Sequence, residues 1–162
     1  MISCFTKEEY EELLKEDLLN RSYKLVSKLF ADKFDKAGIP YIEHLKFVSN
    51  SFTKIDYQIV GLLHDTLEDT DLTYNDLIDL GYPKHIVDAV SIITRKQNES
   101  YSEFIDRILK SNNLIAIRVK EKDMFHNSSE ERLKKLNKED SQRLKNKYKN
   151  EYIKINEYLK GR

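Results

Sequence analysis

The sequence predicts an all-α fold, a helical bundle built as one domain. Three observations predict it. Only four Gly and two Pro interrupt 162 residues, a scarcity that favours helices joined by short connections. Apolar residues recur at three- and four-residue steps along most of the chain. Helix-start and helix-stop residues stand where those periodic runs begin and end.

The elements follow in order. Thr6 and Glu9 in "TKEE" have capping-box spacing, and Tyr10, Leu13, Leu14 and Leu18 continue on one helical face. A second helix carries Tyr23, Val26, Leu29, Phe30 and Phe34, and "DKAGIPY" ends it with the loop residues Gly38 and Pro40. A third runs from Tyr41 through His44, Leu45 and Val48. "YQIVGLLHDTLED" reads as one buried helix with Ile59, Val60, Leu62 and Leu63 inward. In "TYNDLIDLGYP", Thr73 is the N-cap, Asp76 the box residue, Gly81 the C′ position and Pro83 the stop. Helices around "HIVDAVSII", "YSEFIDRIL" and "LIAIRVKEKDMF" come next. β-Branching over Leu114 to Val119 would suit a strand, but no partner strand is in sight, so the segment reads as helix.

The Lys/Asn/Glu-rich end holds Leu144, Tyr148, Tyr152, Ile155 and Leu159 at helical spacing, which predicts an amphipathic helix over 138–160. No internal repeat, linker or low-complexity stretch divides the chain, so one domain over 1–162 is expected.

Composition narrows the function. Lys plus Arg equals Asp plus Glu, so no global field recruits nucleic acid or an anionic membrane, although small anions remain possible ligands. Cys4 is the single cysteine and cannot form an intramolecular disulfide, which suits a reducing cytoplasm. The start lacks a basic region followed by an apolar one, and no run approaches the roughly 18 apolar residues of a membrane span. A cytoplasmic protein with a small-molecule partner, as a monomer or homodimer, is expected.

The chemistry gathers in "GLLHDTLEDT". On a helix, His64 and Glu68 are i,i+4, Asp65 and Glu68 i,i+3, and Asp65 and Asp69 i,i+4, one turn apart. Acids so close raise one another's pKa unless a cation sits among them. An acidic helix C-terminus is the structural alternative, but the helix dipole disfavours negative charge there. Further ligands must come from elsewhere, and His44 in "YIEHL" and Asp123 in "VKEKDMFHN" are the candidates. Two imidazoles and two carboxylates make a mixed N/O set suited to Mn, Fe, Co or Zn. His85 and His126 lie off the ligand pattern and receive no role.

His44, His64-Asp65 and Asp123 match the H…HD…D signature, and here the chain resembles the HD-domain metal-dependent phosphohydrolases. "KAGIPYIEHL", "GLLHDTLEDT" and "RVKEKDMFHN" resemble the hydrolase domain of RelA/SpoT-type enzymes, which remove the 3′-pyrophosphate of (p)ppGpp. The small stand-alone bacterial and phage proteins of that branch are closer still, and the likeness spans about residues 24–133. It implies one divalent ion on His44, His64, Asp65 and Asp123, with Mn²⁺ first and Fe, Co, Zn or Mg as alternatives. It also implies that Glu68 and Asp69 orient or deprotonate the attacking water, and that Asn127 contacts substrate. Lys36, Arg95, Arg118 and Lys120 are candidates to neutralise phosphates, and Tyr41 and Tyr101 to stack on a base.

The chain departs from that pattern before the first His. Asp35 in "FADKFDKAG" falls where the relatives carry an arginine that packs on guanine, with Lys33 and Asp32 where Gln and Gly are expected. A carboxylate cannot replace a stacked guanidinium. "SSEERL" after Asn127 also lacks the basic residue of the larger enzymes. The metal and water-activating set is therefore complete and the base-recognition set is not. Two other readings follow: hydrolysis of a different phosphorylated small molecule, such as a nucleoside monophosphate or the 2′-phosphate of NADPH, or a non-catalytic nucleotide-binding module.

Overall fold

A computed structural model describes residues 2–162, and over them the chain is helical, with one isolated antiparallel bridge between Phe34 and Pro40. The all-α expectation holds. The order is α1 (Lys7–Lys15), α2 (Leu18–Leu29), α3 (Ile42–Asn50), α4 (Ile55–Leu63), α5 (Thr66–Asp69) and α6 (Tyr74–Asp79). Then come α7 (Lys84–Ile93), α8 (Tyr101–Lys110), α9 (Leu114–Asn127), α10 (Glu130–Leu133) and α11 (Lys138–Leu159). No helix among the described residues is long and apolar enough to cross a membrane.

Local chemistry explains the starts. Thr6 and Glu9 form a reciprocal capping box on α1, as Thr73 and Asp76 do on α6 and Ser100 and Glu103 do on α8. Gly81 ends α6 with φ +86°, a conformation that excludes most side chains.

Two apolar clusters form the interior. α2, α3, α4 and α7 enclose Leu25, Val26, Leu45, Val48, Ile59, Leu63, Ile86 and Val90. α8 and α11 close on Phe104, Ile105, Ile108, Tyr148 and Ile155. Helix α9 lies between the two, giving Ala116 and Val119 to the first and Ile117 and Met124 to the second. A helix buried on opposite sides has no single apolar stripe, which is why Leu114 to Val119 resembled a strand.

Two expectations need correction. α2 stops at Leu29, and Phe34 lies beyond it, 61% exposed and bridged to Pro40 across the turn at Gly38. The "YQIVGLLHDTLED" helix is not continuous either. It breaks at His64 and Asp65, where Asp65 takes φ −100° and ψ 0°, so the two residues end α4 and begin α5. At the break His64 is buried and Asp65 is half-buried, and both side chains reach the cluster.

Gly61 sets how closely α3 and α4 approach. A Cβ on it would stand 2.8 Å from the Cα and 2.9 Å from the N of Ser49, both immobile backbone atoms. Because α3 carries His44 and α4 ends at His64, this contact sets the separation of the two imidazoles. Gly61→Ala should lower stability by about 1–3 kcal/mol through overpacking. Urea denaturation followed by circular dichroism would register this as a lower midpoint at unchanged slope.

Candidate metal centre

His44, His64, Asp65 and Asp123 come together. One ligand atom from each lies within 4.8 Å of all the others. His44 Nε2 is 2.9 Å from Asp123 Oδ1 and 3.9 Å from Asp65 Oδ2. His64 Nε2 is 3.1 Å from Asp65 Oδ2 and 3.4 Å from Asp123 Oδ1. Both imidazoles are buried, His44 at 2% and His64 at 1% exposure.

Each group is held from behind. His64 Nδ1 donates to the Gly61 carbonyl at 2.6 Å, which leaves the Nε2 lone pair facing the carboxylates. That Nε2 is buried and finds no hydrogen-bond partner among the described residues. An orphaned imidazole nitrogen pointing at two carboxylates fits a shared cation. The Tyr41 hydroxyl donates to Asp65 Oδ2 at 2.7 Å, and its ring stacks on Phe30. Lys120 Nζ donates to Asp123 Oδ2 at 2.7 Å, and Asn127 Nδ2 donates to Asp123 Oδ1 at 2.9 Å.

Charge follows this geometry. Burial alone would raise the Asp123 carboxyl, but Lys120 and the two imidazoles hold it well below the ordinary carboxylate range. Burial opposes the charge on Lys120, yet Asp123 keeps its ammonium protonated beyond the usual lysine value. Burial would likewise lower His64, but Asp65 and Asp123 outweigh it and hold the ring well above its ordinary pKa. The pull that fixes a proton on His64 is the pull a divalent cation would feel. Burial drives Tyr41 far upward, with Asp65 adding to the shift, so the phenol stays a donor.

The two further acids border this cluster. Carboxylate oxygens of Asp65, Glu68 and Asp69 lie within 4.8 Å of one another. Glu68 Oε1 accepts the Arg95 backbone N–H at 2.9 Å, and the Lys33 ammonium donates to the Asp69 carbonyl. Partial burial, then Asp65 and Glu68, push the Asp69 carboxyl up to about 6.

The remaining predicted residues divide. Asn127 and Lys120 touch a ligand carboxylate, as above. Lys36 and Tyr41 line a cavity of about 320 Å³ beside the cluster. Arg95 turns its guanidinium back onto the Glu99 carbonyl, at 2.8 Å from Nε. Tyr101 packs edge-on to Phe104 and Tyr148, with Lys120 Nζ 5.5 Å from its ring centre, so the ring face serves packing and cations. Arg118 is not brought to the site, because its guanidinium donates to the Arg162 carbonyl. Five residues before Asp123, it lies about 140° around the helix from that ligand.

Three contributors carried no assignment from sequence. His126 Nδ1 is 2.7 Å from His44 Nδ1, and its ring stacks on Phe47 at 4.0 Å. Burial, then His44 and Arg132, lower it to about 4, so it stays a neutral ring whose Nδ1 can accept a hydrogen bond from His44. Its i,i+3 spacing from Asp123 was the available signal. Arg132 reaches the site from α10, and Tyr148 lines the cavity from α11. The signals available were the "RL" at Arg132-Leu133, which resembles the small stand-alone proteins of the RelA/SpoT-type branch, and the helical spacing that includes Tyr148.

No family model matches the chain. A GTP pyrophosphokinase of Myxococcus xanthus is 28% identical over 128 residues, taking in 68% of this chain and 17% of that protein. A guanosine-3′,5′-bis(diphosphate) 3′-pyrophosphohydrolase of Aquifex aeolicus is 34% identical over 80 residues, 44% of this chain and 12% of that protein. The chain thus spans about a sixth or less of the length of these curated relatives. A solved metazoan ortholog of SpoT, described as hydrolysing ppGpp, superposes with a TM-score of 0.59 at 19% identity, covering 90% of this chain and 95% of that one. The fold is therefore the helical fold of that SpoT ortholog. In sequence the chain resembles the RelA/SpoT-type enzymes, as its motifs implied.

Calorimetric titration of the metal-free chain with Mn²⁺ should give one site per chain. At a free concentration one hundred times Kd the ion should add about 2.7 kcal/mol of stability. His64→Ala should abolish both effects, and a folded wild type that takes up no divalent cation would sink the assignment. Lys120→Met leaves Asp123 buried without its cation and should cost about 3–5 kcal/mol of stability in the metal-free protein, read by chemical denaturation.

Proposed function

We propose that this chain is a divalent-metal-dependent phosphohydrolase of nucleotides, with guanosine 3′,5′-bis(diphosphate) as the first substrate to test and Mn²⁺ as its ion. Residues 1–162 would act as one unit. The observation that carries the reading is the orphaned, buried His64 Nε2 inside a cluster of four ligand-type groups, with two further acids on its border. Similarity to a 3′-pyrophosphohydrolase over the motif-bearing part of the chain supports the substrate class.

His44, His64, Asp65 and Asp123 would hold the ion, which when bound supplies an acidified water and polarises a phosphoryl oxygen. The protein's own groups do the rest. The Gly61 carbonyl, Tyr41, Lys120 and Asn127 keep the ligands oriented before substrate arrives. Glu68 and Asp69 stand one short helix beyond Asp65, where a carboxylate takes the proton that the attacking water gives up. Arg95 N–H steadies Glu68, and Lys33 ties down the backbone of Asp69. Water would then displace the 3′-oxygen from phosphorus, its oxygen staying on the released pyrophosphate, while the 3′-oxygen takes up a proton and departs as the 3′-hydroxyl of GDP.

Asp35 favours a second substrate within the same reaction class. Its carboxylate is committed to its own turn, so the loop before α3 presents no guanidinium to a guanine. A nucleoside monophosphate or the 2′-phosphate of NADPH would then be cleaved by the same groups.

Assaying the Mn²⁺-loaded protein against a nucleotide panel, with phosphate and pyrophosphate release measured separately, tests both. Glu68→Gln and Asp69→Asn should each lower kcat by about 10²–10⁴ while Mn²⁺ binding is retained. A fully metallated wild type that turns over no panel member would instead be a nucleotide-binding module.

A further inference from the structure

The cavity of about 320 Å³ beside the metal cluster is lined by Phe34, Lys36, Tyr41, Asn127, Arg132 and Tyr148, with Asp35 the one acid lining it among the described residues. Its size suits part of a small ligand. Two of its walls touch the cluster directly, since Tyr41 donates to Asp65 and Asn127 donates to Asp123. A molecule larger than a single phosphate that reaches the ion from this side would extend along such a wall.

Asp35 and Arg132 meet in this cavity. Asp35 Oδ1 accepts the backbone N–H groups of Ala37 and Ile39 at 2.8 and 2.9 Å, which fixes the carboxylate in the turn. Its Oδ2 lies 3.5 Å from Arg132 Nε. Arg132 Nη1 donates to Asn127 Oδ1 at 2.7 Å and stands 2.8 Å from His44 Nδ1. The guanidinium is therefore held at Nε and Nη1, and Nη2 makes no hydrogen bond among the described residues. A pre-oriented guanidinium with one uncommitted N–H group can donate a charge-assisted hydrogen bond to a phosphate oxygen. Lys36 adds a second cation to the same wall, held only 4.0 Å from Asp140. Phe34, an exposed residue that lines this cavity, offers an apolar side chain beside the two cations. An anion joined to an aromatic ring is what such a wall recognises.

Resting on the nucleotide-hydrolase reading, we propose that Arg132 is a substrate-binding residue for the phosphates of a nucleotide whose ring lies against Phe34. Asp35 is its positioning residue. The acid that removes a guanidinium from the loop before α3 thereby aims another one, from α10, into the same cavity.

The test uses the full chain loaded with Mn²⁺ and equilibrium calorimetry with GDP and with inorganic pyrophosphate as probes, so it needs no turnover. Arg132→Ala should weaken GDP binding by about tenfold or more, as loss of a charge-assisted hydrogen bond does, at unchanged Mn²⁺ affinity. Arg132→Lys, which keeps the charge, should lie between the alanine variant and wild type. Asp35→Asn should weaken GDP in the wild-type background and add nothing once Arg132 is alanine, the coupling expected of a residue acting through another. Unchanged GDP affinity in Arg132→Ala overturns the inference, as does a parallel loss of Mn²⁺, which would make Arg132 a support for His44. Failure of the wild type to bind either probe overturns it too. Arg132-dependent GDP binding without turnover of any nucleotide would uphold the inference and remove the hydrolase reading. Turnover with KM unmoved in Arg132→Ala would do the reverse.

Discussion

Two carboxylates, Asp65 and Asp123, are pressed against two imidazoles inside the protein, and the surrounding structure is arranged to tolerate that charge. Ion pairs out of water are costly unless each lone pair is met. Lys120, itself only 8% exposed, neutralises Asp123, while Tyr41 donates to Asp65 Oδ2 and Asn127 to Asp123 Oδ1. Two negative charges face one lysine, and the second positive charge is either a proton on His64, whose Nε2 points at the carboxylates, or a cation in its place. A divalent ion would complete this set in both charge and geometry.

The helices are placed to make that arrangement possible. Gly61 lets α3 and α4 approach backbone to backbone, which brings His44 beside the end of α4. The chain then breaks at His64–Asp65, so consecutive residues deliver an imidazole and a carboxylate to one point. Helix α9, buried on both sides, carries Asp123 and Lys120 between the two apolar clusters, where their mutual attraction is little screened by water. The acids that border the site fall on the short α5, outside the most buried region, where proton exchange with solvent remains possible.

The charged C-terminal third contributes more than a solvated face. Tyr148 and Ile155 of α11 complete the second apolar cluster, and Lys147 Nζ lies 4.9 Å from the centre of the Tyr101 ring. α10 sends Arg132 to Asn127 and Asp35. The cavity beside the metal cluster is thus walled by the loop before α3 on one side and by α10 and α11 on the other. Asp35, a departure from the related enzymes when read along the chain, has a partner once the chain is folded.

What the sequence determined by itself was local. Capping boxes at Thr6 and Thr73, the stop at Gly81 and the helical spacing of α11 depend on neighbours a few residues away, and each formed as its residues implied. His44, His64, Asp65 and Asp123 were legible because their motif is a fixed pattern of residue types, and they converge. Tertiary structure alone decided the break inside "GLLHDTLEDT", where His64 and Asp65 meet His44 of α3 and Asp123 of α9. It also decided that Arg118 faces away, that His126 backs His44, and that Arg132 meets Asp35 across 97 positions of chain. Those relations link residues far apart in sequence, and no period or spacing along one strand of letters encodes a contact between two faces that meet only when the chain folds.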